Sequence, residues 1–319
     1  MLMQRYIARR VVLLLPTLLG VSLLVFTLVR LYPGDVTVTV AGDYGSLSPE
    51  AKAALLSEFK LDKNIPQQYA IWSGKVARFN FGTSLISGRE VRSEIRQRLP
   101  VSLQLGLMAL TVSVVFGISI GVISALRQNS LADYAGRTFA ISMLAAPNFW
   151  VALLVIAVAG RYFHWGVPPA SYPYLQQDPV GNIKFMAVPA LIIGASTSGG
   201  LMRFTRTAML EVLRQDYVRT AYAKGLHERT VVMRHALKNA LIPVVTIVGL
   251  SLPGIVGGSV IIETVYSIPG MGRYYITSVG LLDFPVVQAI NLVTAFVLLI
   301  SNLGVDISYS WFDPRIRYQ

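Results

Sequence analysis

The chain contains no cysteine and little charge. With no cysteine among its 319 residues, the sequence excludes disulfide bonds, thiolate nucleophiles and cysteine metal ligands. Charged residues make up only 14% of the chain, whereas hydrophobic residues make up 54%. A water-soluble domain of this length carries more charge. The composition therefore predicts a protein that folds within a lipid bilayer.

The usual signatures of catalysis are also missing. The chain has no G-x-x-x-x-G-K-[ST] loop for holding ATP phosphates and no H-E-x-x-H zinc motif. Its three histidines, His164, His227 and His235, form no cluster of metal ligands. No arrangement of acid, base, metal and nucleophile emerges, which disfavours a membrane-embedded enzyme. We predict that this chain itself binds no metal and no cofactor.

Acidic residues are rare in the apolar part of the chain. Glu263 and Asp306 fall near the ends of apolar runs. A proton- or sodium-coupled carrier more often places ionisable groups at the middle of the membrane. Inverted repeats, which mark many such carriers, are not evident either. Both observations disfavour a secondary carrier.

Long apolar runs dominate the chain, and crossing a bilayer takes about 20 residues. The first run follows Arg5, Arg9 and Arg10, and it is too long for the core of a typical signal peptide. We predict an all-α polytopic membrane protein with six transmembrane helices. The predicted spans are residues 11–31, 101–125, 138–160, 187–209, 241–266 and 286–309.

The spans divide the chain into three predicted regions. Residues 1–32 form an N-terminal transmembrane helix, and residues 33–99 form an extracytoplasmic segment with short helices, one of them starting near Ser48. Residues 100–319 form a five-helix core with a cytoplasmic loop at about 210–240.

The net charge of +12 comes mostly from Lys and Arg between the apolar runs. Topology and anionic lipid account for that placement, so we predict membrane lipid and no nucleic acid as a partner. The proposed cytoplasmic pieces carry 15 Lys and Arg, against 3 in the shorter outer loops. Both termini are therefore predicted to be cytoplasmic. Four arginines of the long first loop depart from this pattern: Arg89, Arg92, Arg96 and Arg98.

The stretch at 216–246 has the pattern of two short helices between membrane spans. Asp216 is suited to cap the first helix, and Gly225 is suited to end it in the left-handed conformation. A second helix is predicted from about Glu228 into the apolar run at Leu241. The segment is basic, which is typical of a cytoplasmic loop. An ordinary positively charged connecting loop remains the alternative.

The same stretch carries a family resemblance. DYVRTAYAKGL at 216–226 and HALKNALIP at 235–243 closely resemble the EAA loop of permease subunits in ATP-binding-cassette (ABC) importers, in the dipeptide, oligopeptide and nickel branch. Arg219 stands where the wider superfamily has glutamate, and Tyr222 replaces the branch's usual arginine. The resemblance extends over nearly the whole chain, including DFPVVQ at 283–288 and DPRIR at 313–317.

The resemblance implies a type I ABC importer permease fold in the cytoplasmic membrane of a bacterium or archaeon. It implies a second homologous permease chain, two cytoplasmic ATP-binding subunits that hold ATP and Mg, and an extracytoplasmic substrate-binding protein. In that setting the loop couples the ATPases to the membrane helices. The implied coupling residues are Asp216, Tyr217, Arg219, Thr220, Ala221, Ala223, Lys224, Gly225 and Leu226. Among them, Ala221 and Gly225 are expected to be the close-approach positions in the loop, and Arg219 and Lys224 are expected to make polar contacts with the ATPase.

Two spans contain residues suited to a changing passage. The fourth has a polar centre at Ser196, Thr197 and Ser198, which is too polar to face lipid on all sides. The fifth is rich in helix-perturbing residues, although helix packing explains these about as well. They are Pro253, Gly254, Gly257 and Gly258.

The resemblance implies di- and oligopeptides as the commonest cargo of the branch. Nickel chelates or glutathione are alternative cargoes of the same branch. A channel or secondary carrier that is not driven by ATP is the alternative of a different class. Co-purification of an ATPase subunit distinguishes that class from an importer.

Overall fold

The computed structural model describes residues 2–31, 63–163, 171–251 and 259–312. Within these ranges every regular element is a helix, apart from one isolated antiparallel bridge between Thr83 and Glu90. The predicted all-α class is confirmed. The short helix predicted near Ser48 and the tail at 313–317 lie outside the described residues.

Twelve α-helices and one π-helical segment follow one another in the described ranges. They are α1 (Leu2–Leu31), α2 (Ile65–Val76), α3 (Val91–Leu126), α4 (Leu131–Ala145), α5 (Asn148–Phe163), α6 (Pro179–Leu213), α7 (Asp216–Ala223), α8 (Glu228–Thr230), the π-helix (Val231–Ala236), α9 (Leu237–Ser251), α10 (Val260–Val265), α11 (Met271–Gly280) and α12 (Phe284–Phe312). Five helical stretches are long and apolar enough to cross a membrane, or six if the bent pair α4 and α5 makes one span.

The third predicted span is not one straight helix, and this corrects the sequence prediction. Helices α4 and α5 meet at an angle of 98°. The break falls at Ala146, which has extended backbone angles, and Pro147. Proline lacks the backbone N–H and disfavours helical geometry at the residue before it, so the chain turns there.

The connection between the second and third predicted spans is also much shorter than their bounds imply. Helix α4 already begins at Leu131, and the Ser130 hydroxyl caps it by accepting the backbone N–H of Asp133 at 3.3 Å. Serine is a favoured residue at this position. Similarly, α3 begins at Val91, well before the predicted span at residue 101.

The chain divides into two compact units. The first contains residues 1–101 and 269–300, and the second contains residues 102–268 and 301–319. In the first unit, α1 and α2 meet through the buried ring of Phe26, whose centroid lies 5.2 Å from that of Tyr69 and 5.4 Å from that of Trp72. The Ser22 and Tyr69 hydroxyls are hydrogen-bonded at 2.8 Å.

A turn before α3 completes the first unit. The Ser84 hydroxyl donates to Asp283 Oδ2 at 2.5 Å, and the backbone N–H of Leu85 donates to Oδ1 at 3.1 Å. Beneath the turn, α3, α11 and α12 share an apolar core. Its buried members are Val91, Ile95, Met271, Val286, Ala289 and Ile290.

In the second unit, glycines let α6 lie directly against α3 and α4. A Cβ on Gly117 of α3 would lie 2.8 Å from Leu201 Cβ, and one on Gly121 would lie 2.7 Å from Thr205 Cβ. Gly199 of α6 approaches the Ala140 carbonyl of α4 in the same way. The backbones of these three helices can approach so closely because glycine has no side chain at the contacts.

A candidate coupling segment

Helix α7 is an eight-residue helix with one buried side. Val218 is fully buried and Ala221 is 5% exposed, and both pack against Val231 of the π-helix. Val212 and Leu213, at the end of α6, complete this contact. The helix is therefore held against its own chain by small apolar residues, and its opposite side is open.

Gly225 ends α7 as the sequence predicted. Its φ of +75° is in the left-handed region, which costs glycine little and other residues more. The Leu226 N–H donates to the Ala221 carbonyl at 3.4 Å, and the Gly225 N–H donates to the Tyr222 carbonyl at 2.9 Å. These two bonds form a Schellman motif, which satisfies the last carbonyls of a helix. Apart from its chain neighbours, no atom of the described residues lies within 4 Å of the Cβ position of Gly225, so the turn is open to a partner.

Asp216 does not cap α7, contrary to the sequence prediction. The capping position is held by Gln215, whose side chain makes no capping hydrogen bond, and Asp216 is the first helical residue. Its carboxylate instead lies 3.6 Å from the Arg219 guanidinium, with both side chains highly exposed. Exposed pairs of this kind contribute little to stability, so both charges remain accessible.

The second half of the segment is one continuous helical path from Glu228 to Ser251. It begins where the sequence predicted, but the π-helix at Val231–Ala236 was not foreseen. Val232, Ala236 and Ala240 pack with Met209 of α6 and Ala125 of α3 in a buried cluster. Asn239 Nδ2 also donates to the Tyr217 hydroxyl at 2.9 Å, which ties α7 to the start of α9.

Most of the predicted coupling residues share the open side of this segment. The exposed ones are Asp216, Tyr217, Arg219, Thr220, Ala223, Lys224, Gly225 and Leu226. Ala221 is the exception, because its methyl group is buried and packs inward against Val231. Its proposed role as a close-approach position in the loop stays a prediction. Tyr222, where the family has arginine, is 44% exposed on the same segment.

The predicted pathway residues of α6 separate onto different sides of the helix. Ser198 is fully buried and donates to the Ala195 carbonyl at 2.6 Å, so its hydroxyl is satisfied within the helix. Thr197 is exposed, Ser196 is half-buried, and the Cβ position of Gly200 faces open space. Pro253, Gly254, Gly257 and Gly258 lie outside the described residues.

Sequence reasoning missed a buried ion pair in the second unit. Asp133 of α4 is fully buried, and its two carboxylate oxygens accept hydrogen bonds from Nε and Nη2 of Arg206 in α6, both at 2.9 Å. The Ser124 hydroxyl of α3 donates to the same carboxylate, and the Asn129 N–H donates to it at 3.0 Å. Asp133 lies between the second and third predicted spans, so the sequence did not mark it as buried.

A second polar group lies at the other end of α3. Glu263 of α10 is fully buried, and its Oε1 accepts from the Ser102 hydroxyl at 2.7 Å and from Ser259 at 2.6 Å. Nearby, Asn182 Nδ2 donates to the Tyr172 hydroxyl at 3.1 Å. Burial raises the pKa of Tyr172 to about 12, so this hydroxyl stays neutral. Across the described part of the chain, no group of three acidic or histidine side chains is arranged to hold a metal ion.

These features define a class: a polytopic helical membrane protein with a short, mostly exposed helix, α7, between two spans. Residues 117–318 match the family of binding-protein-dependent transport system inner membrane components. The chain belongs to this family and is a permease subunit of an ABC importer. The family confirms the predicted type I permease fold.

Relatives match along their whole length. The chain is 38% identical to a di/tripeptide transport system permease protein of Pseudomonas aeruginosa, with 99% of the chain and 100% of the relative covered. It is 37% identical to an oligopeptide transport system permease protein of Bacillus subtilis and 34% identical to a dipeptide transport system permease protein of Alkalihalophilus pseudofirmus, with the same coverage in both cases.

Proposed function

We propose that this permease subunit imports di- and oligopeptides and forms one half of their pathway through the cytoplasmic membrane. The relatives reported above carry dipeptide, di/tripeptide and oligopeptide transport in their names. A second homologous permease chain supplies the other half of the pathway. An extracytoplasmic binding protein delivers the peptide, and two cytoplasmic subunits bind ATP and Mg.

The open side of α7 is the observation that carries the coupling role. It presents Tyr217, Arg219 and Lys224 around a glycine turn that no other part of the described chain covers. In this proposal the ATPase binds the exposed side of α7. Arg219 and Lys224 make polar contacts with it, and the absence of a side chain at Gly225 lets the ATPase surface approach the turn closely.

Movement of α7 passes into the membrane helices through packed side chains. Val218 and Ala221 contact Val231, and the following helical path packs on α6 through Met209. Closure of the ATPase pair on ATP displaces α7, and the packed helices exchange inward-open for outward-open arrangements. This is a two-state change driven by a ligand bound at a distance. The exposed side of α6 at Thr197 and Gly200 is proposed to face the peptide pathway.

Two substitutions at Gly225 test the docking assignment. Valine is strongly disfavoured at a φ of +75°, whereas asparagine tolerates left-handed backbone. We expect Gly225→Val to abolish co-purification of the ATPases and ATP-driven uptake. We expect Gly225→Asn to keep the turn and to retain a larger share of both. Membrane insertion of both variants, measured by their abundance in the membrane fraction, should be normal.

Each outcome has a definite meaning. Loss in both variants places the ATPase too near Gly225 for any side chain, and the segment is still the coupling element. Unaltered docking and uptake in Gly225→Val contradicts the assignment of this turn. Peptide as the cargo is tested separately, by uptake of a labelled dipeptide in competition with a nickel chelate and glutathione.

A further inference from the structure

The buried pair of Asp133 and Arg206 joins three helices at one point. The Asp133 carboxylate belongs to α4, the guanidinium to α6, and the Ser124 hydroxyl to α3. Arg206 Nε also donates to the Ser124 oxygen at 3.1 Å, so every member of the cluster contacts the other two. Moving any one of the three helices therefore requires breaking bonds to both of the others.

A buried ion pair is a poor way to gain stability, because removing two charges from water offsets most of their attraction. Apolar residues of similar size often serve stability equally well. The pair differs from apolar packing in geometry. The two parallel hydrogen bonds between guanidinium and carboxylate hold in only one relative position. The pair thus fixes the register of α4 against α6, whereas apolar packing would allow the two helices to slide.

The Asp133–Arg206 pair lies next to a buried cluster that includes the π-helix, the element that packs against α7. Ser124 is followed by Ala125, and Arg206 precedes Met209 by one helical turn. Ala125 and Met209 belong to the buried cluster that includes Val232 of the π-helix. A continuous set of packed side chains therefore connects the π-helix with the Asp133–Arg206 pair. Gly121 and Gly136 let the helices approach within side-chain contact on the other side of the pair.

We propose that the Asp133–Arg206 pair makes α3, α4 and α6 move as one rigid body when α7 moves. This rigidity couples ATP hydrolysis to transport. The inference rests on the proposed coupling function of α7. Asp133 and Arg206 touch neither peptide nor ATP in this proposal and act as positioning residues. Without the pair, α6 follows α7 while α4 lags behind, so ATP is hydrolysed without matching transport.

The test uses the complete transporter, reconstituted in vesicles with its partner permease, ATPases and binding protein. We would compare Asp133→Asn and Arg206→Met with Arg203→Met. Arg203 is an exposed arginine one turn earlier on α6, and it makes no ion pair within the described part of the chain. The readout is peptide taken up per ATP hydrolysed. We expect this ratio to fall about tenfold in the first two variants, in the usual range of coupling between sites, and to stay unchanged in Arg203→Met.

A double variant separates coupling from folding. Asp133→Leu combined with Arg206→Met removes both charges, so no unpaired charge stays buried and the helices can pack. We expect normal membrane insertion and ATPase co-purification but a low ratio of uptake to hydrolysis. A normal ratio in this variant overturns the proposal, even if the single variants fail to insert. If the ATPases do not co-purify with the unaltered chain, the coupling function itself is wrong.

Spin labels give a second readout that a purely structural pair would not change. The absence of native cysteine allows selective labelling at Leu131→Cys on α4 and Glu211→Cys on α6, both exposed positions. In the otherwise unaltered chain, the distance between the labels should be the same with and without ATP. In Asp133→Asn it should change or broaden on ATP binding. A distance that already changes in the unaltered chain contradicts the single-body motion.

Discussion

At the scale of single residues, two tyrosines of the second unit differ in what their hydroxyls meet. Tyr172 and Tyr266 both make edge-to-face contacts with Phe185, with ring centroids 5.9 Å and 6.4 Å from that of Phe185. The Tyr172 hydroxyl accepts a hydrogen bond from Asn182, whereas the buried Tyr266 hydroxyl finds no partner in the described part of the chain. The hydroxyl group thus contributes a hydrogen bond to the fold at Tyr172, whereas at Tyr266 it is buried without a partner in the described residues.

Removing each hydroxyl should therefore have opposite effects. We expect Tyr172→Phe to lower stability by about 1 kcal/mol, the usual net value of a hydrogen bond. We expect Tyr266→Phe to be neutral or stabilising, because it removes an unpaired buried polar group. Thermal unfolding of the purified transporter in detergent measures both. A loss of stability in Tyr266→Phe equal to that in Tyr172→Phe would refute this account.

Residue roles were predictable where they depended on the local backbone. The end of α7 at Gly225 followed from glycine's freedom at positive φ, and the structure has it there. Roles that depended on distant partners were not predictable. Asp133 pairs with a residue 73 positions away, and nothing in its own neighbourhood indicates that contact. Ala221 has a buried side for the same reason, since Val231 covers it from the next helix.

At the scale of helices, α6 carries two adjacent glycines in different surroundings. A Cβ on Gly199 would lie 2.6 Å from the Ala140 carbonyl oxygen of α4, which is backbone and cannot move aside easily. Nothing lies within 4 Å of the Cβ position of Gly200. Gly199 is therefore required by the contact between α4 and α6, and Gly200 is not.

The same substitution at the two positions tests this contact. Gly199→Ala should destabilise the protein by about 1–3 kcal/mol through overpacking. Gly200→Ala should be neutral or stabilise by up to about 1 kcal/mol, because alanine favours the helix. The melting temperatures of the two purified variants in detergent give the comparison. Equal melting temperatures would show that the close approach of α4 and α6 is not rigid.

Helix prediction was accurate for existence and less so for ends. Apolar runs located the five long helical stretches that can cross the bilayer, because about 20 apolar residues are needed for a crossing. The third predicted span proved to be a bent pair of helices. The early start of α3 was missed because Arg92 and Arg96 interrupt the apolar run by which the span was placed. Val91 and Ile95 are nevertheless buried one helical turn apart, as in an amphipathic helix. The sharp bend at Pro147 depends on how α4 and α5 pack, and that is not written in the local sequence.

At the scale of the whole molecule, the bent pair α4 and α5 decides the number of membrane crossings. If the pair is one span, the segments before α4 and after α5 lie on opposite sides of the membrane. If the pair enters and returns, they lie on the same side. The position of α7 relative to the membrane follows from the same count.

Single cysteines test the count, because the chain has none of its own. Gln128, Gln176 and His227 are exposed and suited to replacement. We expect a membrane-impermeant maleimide added to intact cells to label Gln176→Cys alone. Gln128→Cys and His227→Cys should react only after the membrane is opened. Labelling of both Gln128→Cys and Gln176→Cys in intact cells would mean that the pair does not cross.

The π-helix at Val231–Ala236 has a geometric consequence for the helix that follows it. Buried residues recur at every fourth position along this path, at Val232, Ala236, Ala240 and Val244. In a regular α-helix, four residues overshoot one turn by about 40°, so such a series would spiral away from its neighbour. A π-helical turn contains more residues than an α-helical turn, so four residues of the π-helix rotate through a smaller angle. This offsets part of the overshoot and keeps the buried residues on one side. The number of residues in the π-helix thus sets the rotational orientation of α9 about its axis. Deleting one of them would rotate the buried side of α9 by about 100° relative to α7.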